Sequence, residues 1–143
     1  MLNKILKIFK KEYKLSLKFS FHSNYKTLNT IEISRSNLLH NYKYLSSLNR
    51  KIKVAPVLKS NGYGHGAVVV AKILDPLNSP FFCVDSLYEA YELLKAGIKT
   101  KVLIMGYTDP QNFKIKKLSF SFAVFELETA KILNEYQPGC KIH

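Results

Sequence analysis

Lys59 stands at the end of an apolar run, Val54–Leu58, and opens a turn in which Gly62, Gly64 and Gly66 alternate with Tyr63 and His65. That order reads as a buried strand, a tight turn and then a helix, with an amine held where the strand stops. A lysine amine in such a place can lose its proton through partial burial and attack a carbonyl carbon, so Lys59 is the candidate nucleophile. Tyr63 offers a phenol on the same turn. His65 reads as a structural residue at the helix start rather than an acid or base. The four histidines, His22, His40, His65 and His143, are too dispersed to give metal-ligand spacing.

The elements that would position this turn follow in a regular order. A short strand is expected over Thr30–Ile33, and then a helix capped by Ser34 or Ser36, with Leu38, Leu39, Tyr42 and Leu45 as its apolar stripe. Strand Lys53–Leu58 carries Lys59, and helix His65–Leu74 follows. Beyond a loop over Asp75–Pro80 come strand Phe81–Val84 and a helix over Leu87–Ala96, capped by Ser86 and stopped by Gly97. Strand Lys101–Met105 and a helix begun by Asp109-Pro110 come next. Strand Ser119–Phe125 and helix Glu126–Tyr136 follow, the helix burying Leu127, Ala130, Ile132 and Leu133. A last strand starts at Gly139–His143. Alternating strands and helices imply a parallel sheet, and a doubly wound sheet and a barrel both fit the rhythm. Pro56 is a local fault in its strand, since it has no N–H for the ladder.

Composition sets the outer bounds. The chain has 143 residues, 47% hydrophobic and 22% charged, which suits a globular domain with a real core. The net charge is +12, nearly all from dispersed lysines. Without an Arg/aromatic cluster, zinc spacing or RNA-binding signature, it reads as a solvated surface, and no nucleic-acid partner is expected. Residues 1–28 hold seven lysines against one acid, Glu12. They read as a basic amphipathic extension, 1–29, set apart from a domain over 30–143. A partner-packing tail, a targeting peptide or upstream sequence all fit the extension, and weak membrane association fits residues 1–21. No run reaches the ~20 apolar residues of a membrane span. Cys83 and Cys140, with no secretory signal, fit a reducing cytosol, and Cys83 lies in an apolar run as a core residue.

The stretch Pro56-Val57-Leu58-Lys59-Ser60-Asn61-Gly62-Tyr63-Gly64-His65-Gly66 resembles the cofactor-lysine motif of the alanine racemases, the barrel-type enzymes dependent on pyridoxal 5'-phosphate. Ile31-Glu32-Ile33 with Leu38, Asn41 and Leu45 is similar to their opening strand and helix. Val102-Leu103-Ile104-Met105-Gly106 is similar to a later strand end. Gly62 stands where the family has alanine, which suggests a looser turn. Asp85-Ser86 with Glu89-Ala90 resembles an acidic turn of architectural character.

The resemblance implies a partial TIM (β/α)8 barrel comprising the first four β-α units after the basic extension, with the site at the carboxyl ends of the strands. It implies pyridoxal 5'-phosphate held by Lys59, with Tyr63 donating to its phosphate and Val57 and Met105 against its ring. It implies interconversion of L- and D-alanine for peptidoglycan in a bacterial cytoplasm, by a homodimer. In the family an arginine on the pyridine nitrogen and a catalytic tyrosine given to the partner subunit come from later sequence. The 143 residues are therefore expected to be an N-terminal fragment, inactive alone and open at two sheet edges. Two other readings stand beside this one: another barrel-type pyridoxal-phosphate protein, acting on other amino acids or carrying the cofactor, and a non-catalytic half-barrel that binds a partner.

Overall fold

The structure, a computed structural model, describes residues 29, 31–49 and 51–143. Contacts gather Glu32–His143 into one unit. The basic amphipathic character read over 1–28, and the membrane and targeting roles considered for it, lie outside the described residues.

Helix α1 (Arg35–Leu48) begins where sequence places it. The Ser34 hydroxyl accepts a hydrogen bond from the Asn37 N–H at 3.3 Å and satisfies one free amide of the first turn. Leu38, Leu39 and Tyr42 pack on the core, but Leu45 is 51% exposed and drops out of the expected stripe. The expected strand over Thr30–Ile33 is absent among the described residues 31–33, and Ile31 is 70% exposed.

Three parallel strands form the sheet: β1 (Phe82–Val84), β2 (Val102–Ile104) and β3 (Ser121–Phe122), in the order β1-β2-β3. Phe82, Cys83 and Val84 lie opposite Val102, Leu103 and Ile104, and Leu103 and Ile104 lie opposite Ser121 and Phe122. Single bridges extend the ladder at both edges, Val57 to Cys83 and Phe122 to Ile142. The strands expected at 53–58 and 139–143 are thus reduced to these bridges, and β3 is shorter than Ser119–Phe125.

Pro56 is accommodated by a substitution of donors. Its carbonyl accepts from the Cys83 N–H at 2.9 Å, and Leu58 donates to the Cys83 carbonyl at 2.7 Å. The ladder would next require an N–H from residue 56 to the Phe81 carbonyl. The buried Ser79 hydroxyl lies 3.0 Å from that carbonyl and 3.0 Å from the Val54 carbonyl, and supplies the missing proton.

Helices α2 (Ala67–Leu74), α3 (Leu87–Lys95), α4 (Gln111–Ile115) and α5 (Leu127–Tyr136) connect and cover the strands. Strand side chains alternate between faces. Phe82, Val84, Val102, Ile104 and Phe122 form the core with Ala71 and Leu74 of α2, Ala90 and Leu93 of α3, Phe113 of α4 and Leu133 of α5. Each large apolar side chain buried this way contributes about 1.5–3 kcal/mol. Helix α2 starts two residues later than expected. In α5 Leu133 is buried, but Leu127 is 74% exposed, so the apolar side begins one turn further along. The Ser86 cap is present, its hydroxyl 3.3 Å from the Glu89 N–H, and Gly97 ends α3 at φ +79°. Cys83 is buried as expected, yet with Ser121 it lies on the face opposite the main core. Among the described residues no helix is long and apolar enough to cross a membrane.

Candidate active site around Lys59

The register places the site. Val57 faces Cys83 and Cys83 faces Leu103, so two residues further along Asp85 and Met105 share the next row, and Lys59, just past the Val57 bridge, reaches Asp85. This row caps the carboxyl ends of the strands, on the face away from the main core. The Lys59 Nζ lies 3.8 Å from Asp85 Oδ1, with the two side chains 37% and 57% exposed. An ion pair this open to solvent contributes little to stability. What it defines is where the amine sits. Met105 is half-buried and Val57 is 38% exposed. Both therefore keep part of their apolar surface open.

The segment after Lys59 is not an ordinary helix. Ser60, Asn61, Gly62 and Tyr63 all take positive φ, at 53°, 53°, 63° and 54°, making one left-handed turn. For each non-glycine residue that conformation costs about 1–2 kcal/mol. Strain of this kind persists only where the surroundings fix it, and it gathers at functional sites. Here the fixing bonds are visible. Gly62 N–H donates to the Leu58 carbonyl at 2.8 Å, and Gly66 N–H to the Asn61 carbonyl at 2.8 Å. Asn61 Oδ1 accepts from the Ala67 N–H at 2.9 Å and so caps α2 from inside the turn. Gly62 is buried, and a Cβ there would meet Ala67 N at 3.3 Å. Glycine therefore fits a left-handed position without steric cost.

Tyr63 projects from this turn, 60% exposed, and its hydroxyl has no hydrogen-bond partner among the described residues. The structure places Lys59 beside Asp85, with Val57 on the bridge before it, Met105 at the end of β2 and Tyr63 on the turn after it. His65 is structural in position: its Nδ1 lies 2.9 Å from the Gly62 carbonyl. Burial pushes the thiol pKa of Cys83, the neighbour of Val57, up and so disfavours its thiolate. No group of three or more potential metal ligands occurs among the described residues.

Two residues of the site were given no part in its chemistry from sequence, Asp85 being read as architectural and Gly106 only as a strand end. Asp85 pairs with Lys59, and Gly106 permits that arrangement: a Cβ on Gly106 would fall 2.3 Å from the Asp85 carbonyl oxygen and 2.9 Å from its Cγ. The run Ile104-Met105-Gly106, a strand ending on glycine, was the available signal. A large surface cleft of about 600 Å³ lies at the opposite ends of the strands, beside Asp75, Ser79, Thr100 and Lys101. It is remote from Lys59. Its Asp75 carboxylate is occupied, accepting from the N–H groups of Lys99 and Thr100 and from the Thr100 hydroxyl.

Residues 33–143 match the family described as alanine racemase, N-terminal domain. An alanine racemase from Carboxydothermus hydrogenoformans is 43% identical over 89 residues, covering 62% of this chain and 24% of the relative. Alanine racemase 1 of Caldanaerobacter subterraneus is 35% identical over 107 residues, covering 73% and 28%. Among solved structures, an alanine racemase from Clostridium difficile superposes with a TM-score of 0.63 at 36% identity, over 71% of this chain and 27% of that one. A histidine racemase from Leuconostoc mesenteroides gives 0.68 at 25% identity, over 83% and 34%. The chain spans about a quarter of the length of the curated relatives it matches.

Proposed function

The chain belongs to the alanine racemase family, and from that premise we propose that residues 30–143 supply the cofactor-lysine part of a barrel-type amino-acid racemase acting on alanine. The observation that carries the reading is the Lys59 amine at a strand end, followed by a strained left-handed turn. The proposed barrel, of which this would be the first four β-α units, has support in the curvature of the sheet. The rings of Phe81 and His143 meet edge-on at 5.1 Å. On a flat sheet the register would set those residues about 20 Å apart, so the face between them is concave.

The residues present fit pyridoxal 5'-phosphate at its aldehyde and ring, and in part at its phosphate. Lys59 Nζ is reachable by an aldehyde. Val57 and Met105 offer apolar surface for the ring. At the phosphate end the chain contributes the hydroxyl of the exposed Tyr63 as a donor. When bound, the cofactor withdraws electrons from the α-carbon of an amino acid and acidifies its proton. Lys59 would then hold and return that proton on one face of the carbon. General acid–base help of this kind is worth about 10²–10⁴-fold. The base for the opposite face, the anchor for the pyridine nitrogen and most of the phosphate donors are assigned to sequence or subunits other than these 143 residues. We therefore assign the chain taken alone no racemase turnover, and place its working form in a cytosolic homodimer that makes D-alanine for peptidoglycan.

The test is alanine racemisation, followed by chiral chromatography with added pyridoxal phosphate. The 143-residue chain is assayed alone and mixed with the C-terminal remainder of the Carboxydothermus relative. Turnover is expected only in the mixture and is lost in Lys59→Ala. Robust turnover by the chain alone overturns the division of labour. A folded mixture that turns over equally well with Lys59→Ala overturns the role of the lysine.

A further inference from the structure

Glu89 makes a pair of bonds that a helix cap does not call for. Ser86-Leu87-Tyr88-Glu89 has the sequence of a capping box, in which the glutamate would turn back to the N–H of the capping serine. The Ser86 half of the box is formed, but the glutamate half is redirected. Glu89 Oε2 accepts from the Asp85 N–H at 2.8 Å, and Oε1 crosses to the neighbouring strand end to accept from the Ser60 N–H at 2.6 Å. One donor belongs to the residue after Lys59. The other belongs to the residue whose carboxylate lies 3.8 Å from the Lys59 amine.

We propose that Glu89 is a positioning residue for Lys59, a carboxylate clamp that fixes the left-handed turn and the Asp85 strand end to each other and so sets where the amine points. The proposal rests on the role given to Lys59 above. The clamp is suited to the task in three ways. A carboxylate has two oxygens and can accept from two converging N–H groups at once, with charge-assisted strength. Ser60 is the first positive-φ residue after Lys59, so a bond to its N–H selects the conformation at the point where the chain turns left-handed. Helix α3, which carries Glu89, is anchored in the core by Ala90 and Leu93, both fully buried, so the carboxylate is presented from a rigid element. Glutamine has a single carbonyl oxygen and would turn an NH₂ toward the second donor, so Glu89→Gln can keep at most one of the two bonds.

The experiment uses the 143-residue chain in three variants, Glu89→Ala, Glu89→Gln and the surface control Glu92→Gln. Among the described residues the Glu92 carboxylate pairs with Lys95 of its own helix. Amide hydrogen exchange is read at Ser60 and Asp85. Trace acetylation by acetic anhydride is read at Lys59, relative to Lys99, across pH. Glu89→Ala is expected to speed exchange at both amides by about tenfold to a hundredfold, and Glu89→Gln at one of them. Both are expected to move the relative acetylation of Lys59 by about threefold or more, with Glu92→Gln changing neither. A merely structural role would lower the unfolding temperature and leave the relative reactivity of Lys59 in the folded protein unchanged. Unchanged Ser60 exchange, or unchanged relative acetylation, in folded Glu89→Gln overturns the proposal. So does a Glu89→Gln chain that cannot fold, because Glu89 would then serve the fold at large. Neither readout uses pyridoxal phosphate. A wild-type chain that fails to take up the cofactor would overturn the reading of Lys59 while leaving the clamp standing or falling on its own data.

Discussion

Gly106→Ala is the sharpest perturbation that the geometry of the site offers. The added Cβ would lie 2.3 Å from the Asp85 carbonyl oxygen, 2.9 Å from Asp85 Cγ and 3.0 Å from Oδ1. Two of these atoms belong to the side chain and could swing away, but the carbonyl oxygen is backbone. That same oxygen accepts from the Gly106 N–H at 3.1 Å, so moving it apart also breaks the bond that joins the two strand ends. Overpacking of a rigid site and one lost hydrogen bond together cost about 2–4 kcal/mol. At about 4 °C per kcal/mol, between the values for smaller and larger domains, the melting temperature falls by about 8–16 °C. Gly97→Ala serves as the comparison. Gly97 has open space around its missing Cβ but sits at φ +79°, so alanine there carries only the left-handed backbone penalty, about 1 kcal/mol. Urea unfolding of the two variants should therefore rank Gly106→Ala as clearly the worse, although Gly106 is outside the left-handed region. Gly106→Ala should also alter the relative acetylation of Lys59, because Asp85 is displaced, whereas Gly97→Ala should not. A Gly106→Ala chain as stable as Gly97→Ala, or with Lys59 unaltered, would refute the close packing of the Asp85 and Gly106 strand ends.

Three further outcomes follow from the same structure. Asn61→Ala removes the cap on Ala67 and puts alanine at φ +53°, and should cost about 1–2 kcal/mol in urea unfolding. Gln137 is buried, and its amide bonds the carbonyls of Phe113 and Lys116 while its oxygen accepts from Leu118 N–H; Gln137→Leu strands three backbone groups and should cost about 3 kcal/mol or more. At Asp75 burial works to raise the pKa, but hydrogen bonds from Thr100 and Lys99 and the Lys99 charge outweigh it and leave the carboxyl below its ordinary value. A depressed carboxylate stabilises the fold above its unfolded pKa and loses that stabilisation as pH falls through the folded value. Stability measured from pH 6 down to pH 3 should therefore drop less steeply in Asp75→Asn than in wild type.

What sequence made legible, and what it did not, divides by the range of the interactions. The Lys59 turn was legible because its signals are local: an apolar run, a lysine, three glycines. Ser86 and Gly97 marked the ends of α3 for the same reason, since a cap and a left-handed stop act within one turn of helix. The left-handed backbone at Ser60, Asn61 and Tyr63 was not legible, because non-glycine residues adopt it only under outside constraint. Glu89 was read as architectural, and its bond to Ser60 spans 29 residues of sequence, which no periodicity reveals. The tolerance of Pro56 likewise depends on the Ser79 hydroxyl, brought to it through the fold. Leu127 was assigned to the buried side of α5 by spacing alone, but the first turn of that helix reaches beyond the core that Leu133 enters.

The central claim is that Lys59, alone among the lysines, is placed to hold an aldehyde cofactor. Its most direct test is to incubate the chain with pyridoxal phosphate, reduce with borohydride and map the pyridoxyl label by peptide mass spectrometry, in wild type and Lys59→Ala. The account predicts a label concentrated on Lys59 and lost in the variant. A label spread evenly over the surface lysines, or unchanged in Lys59→Ala, would contradict it.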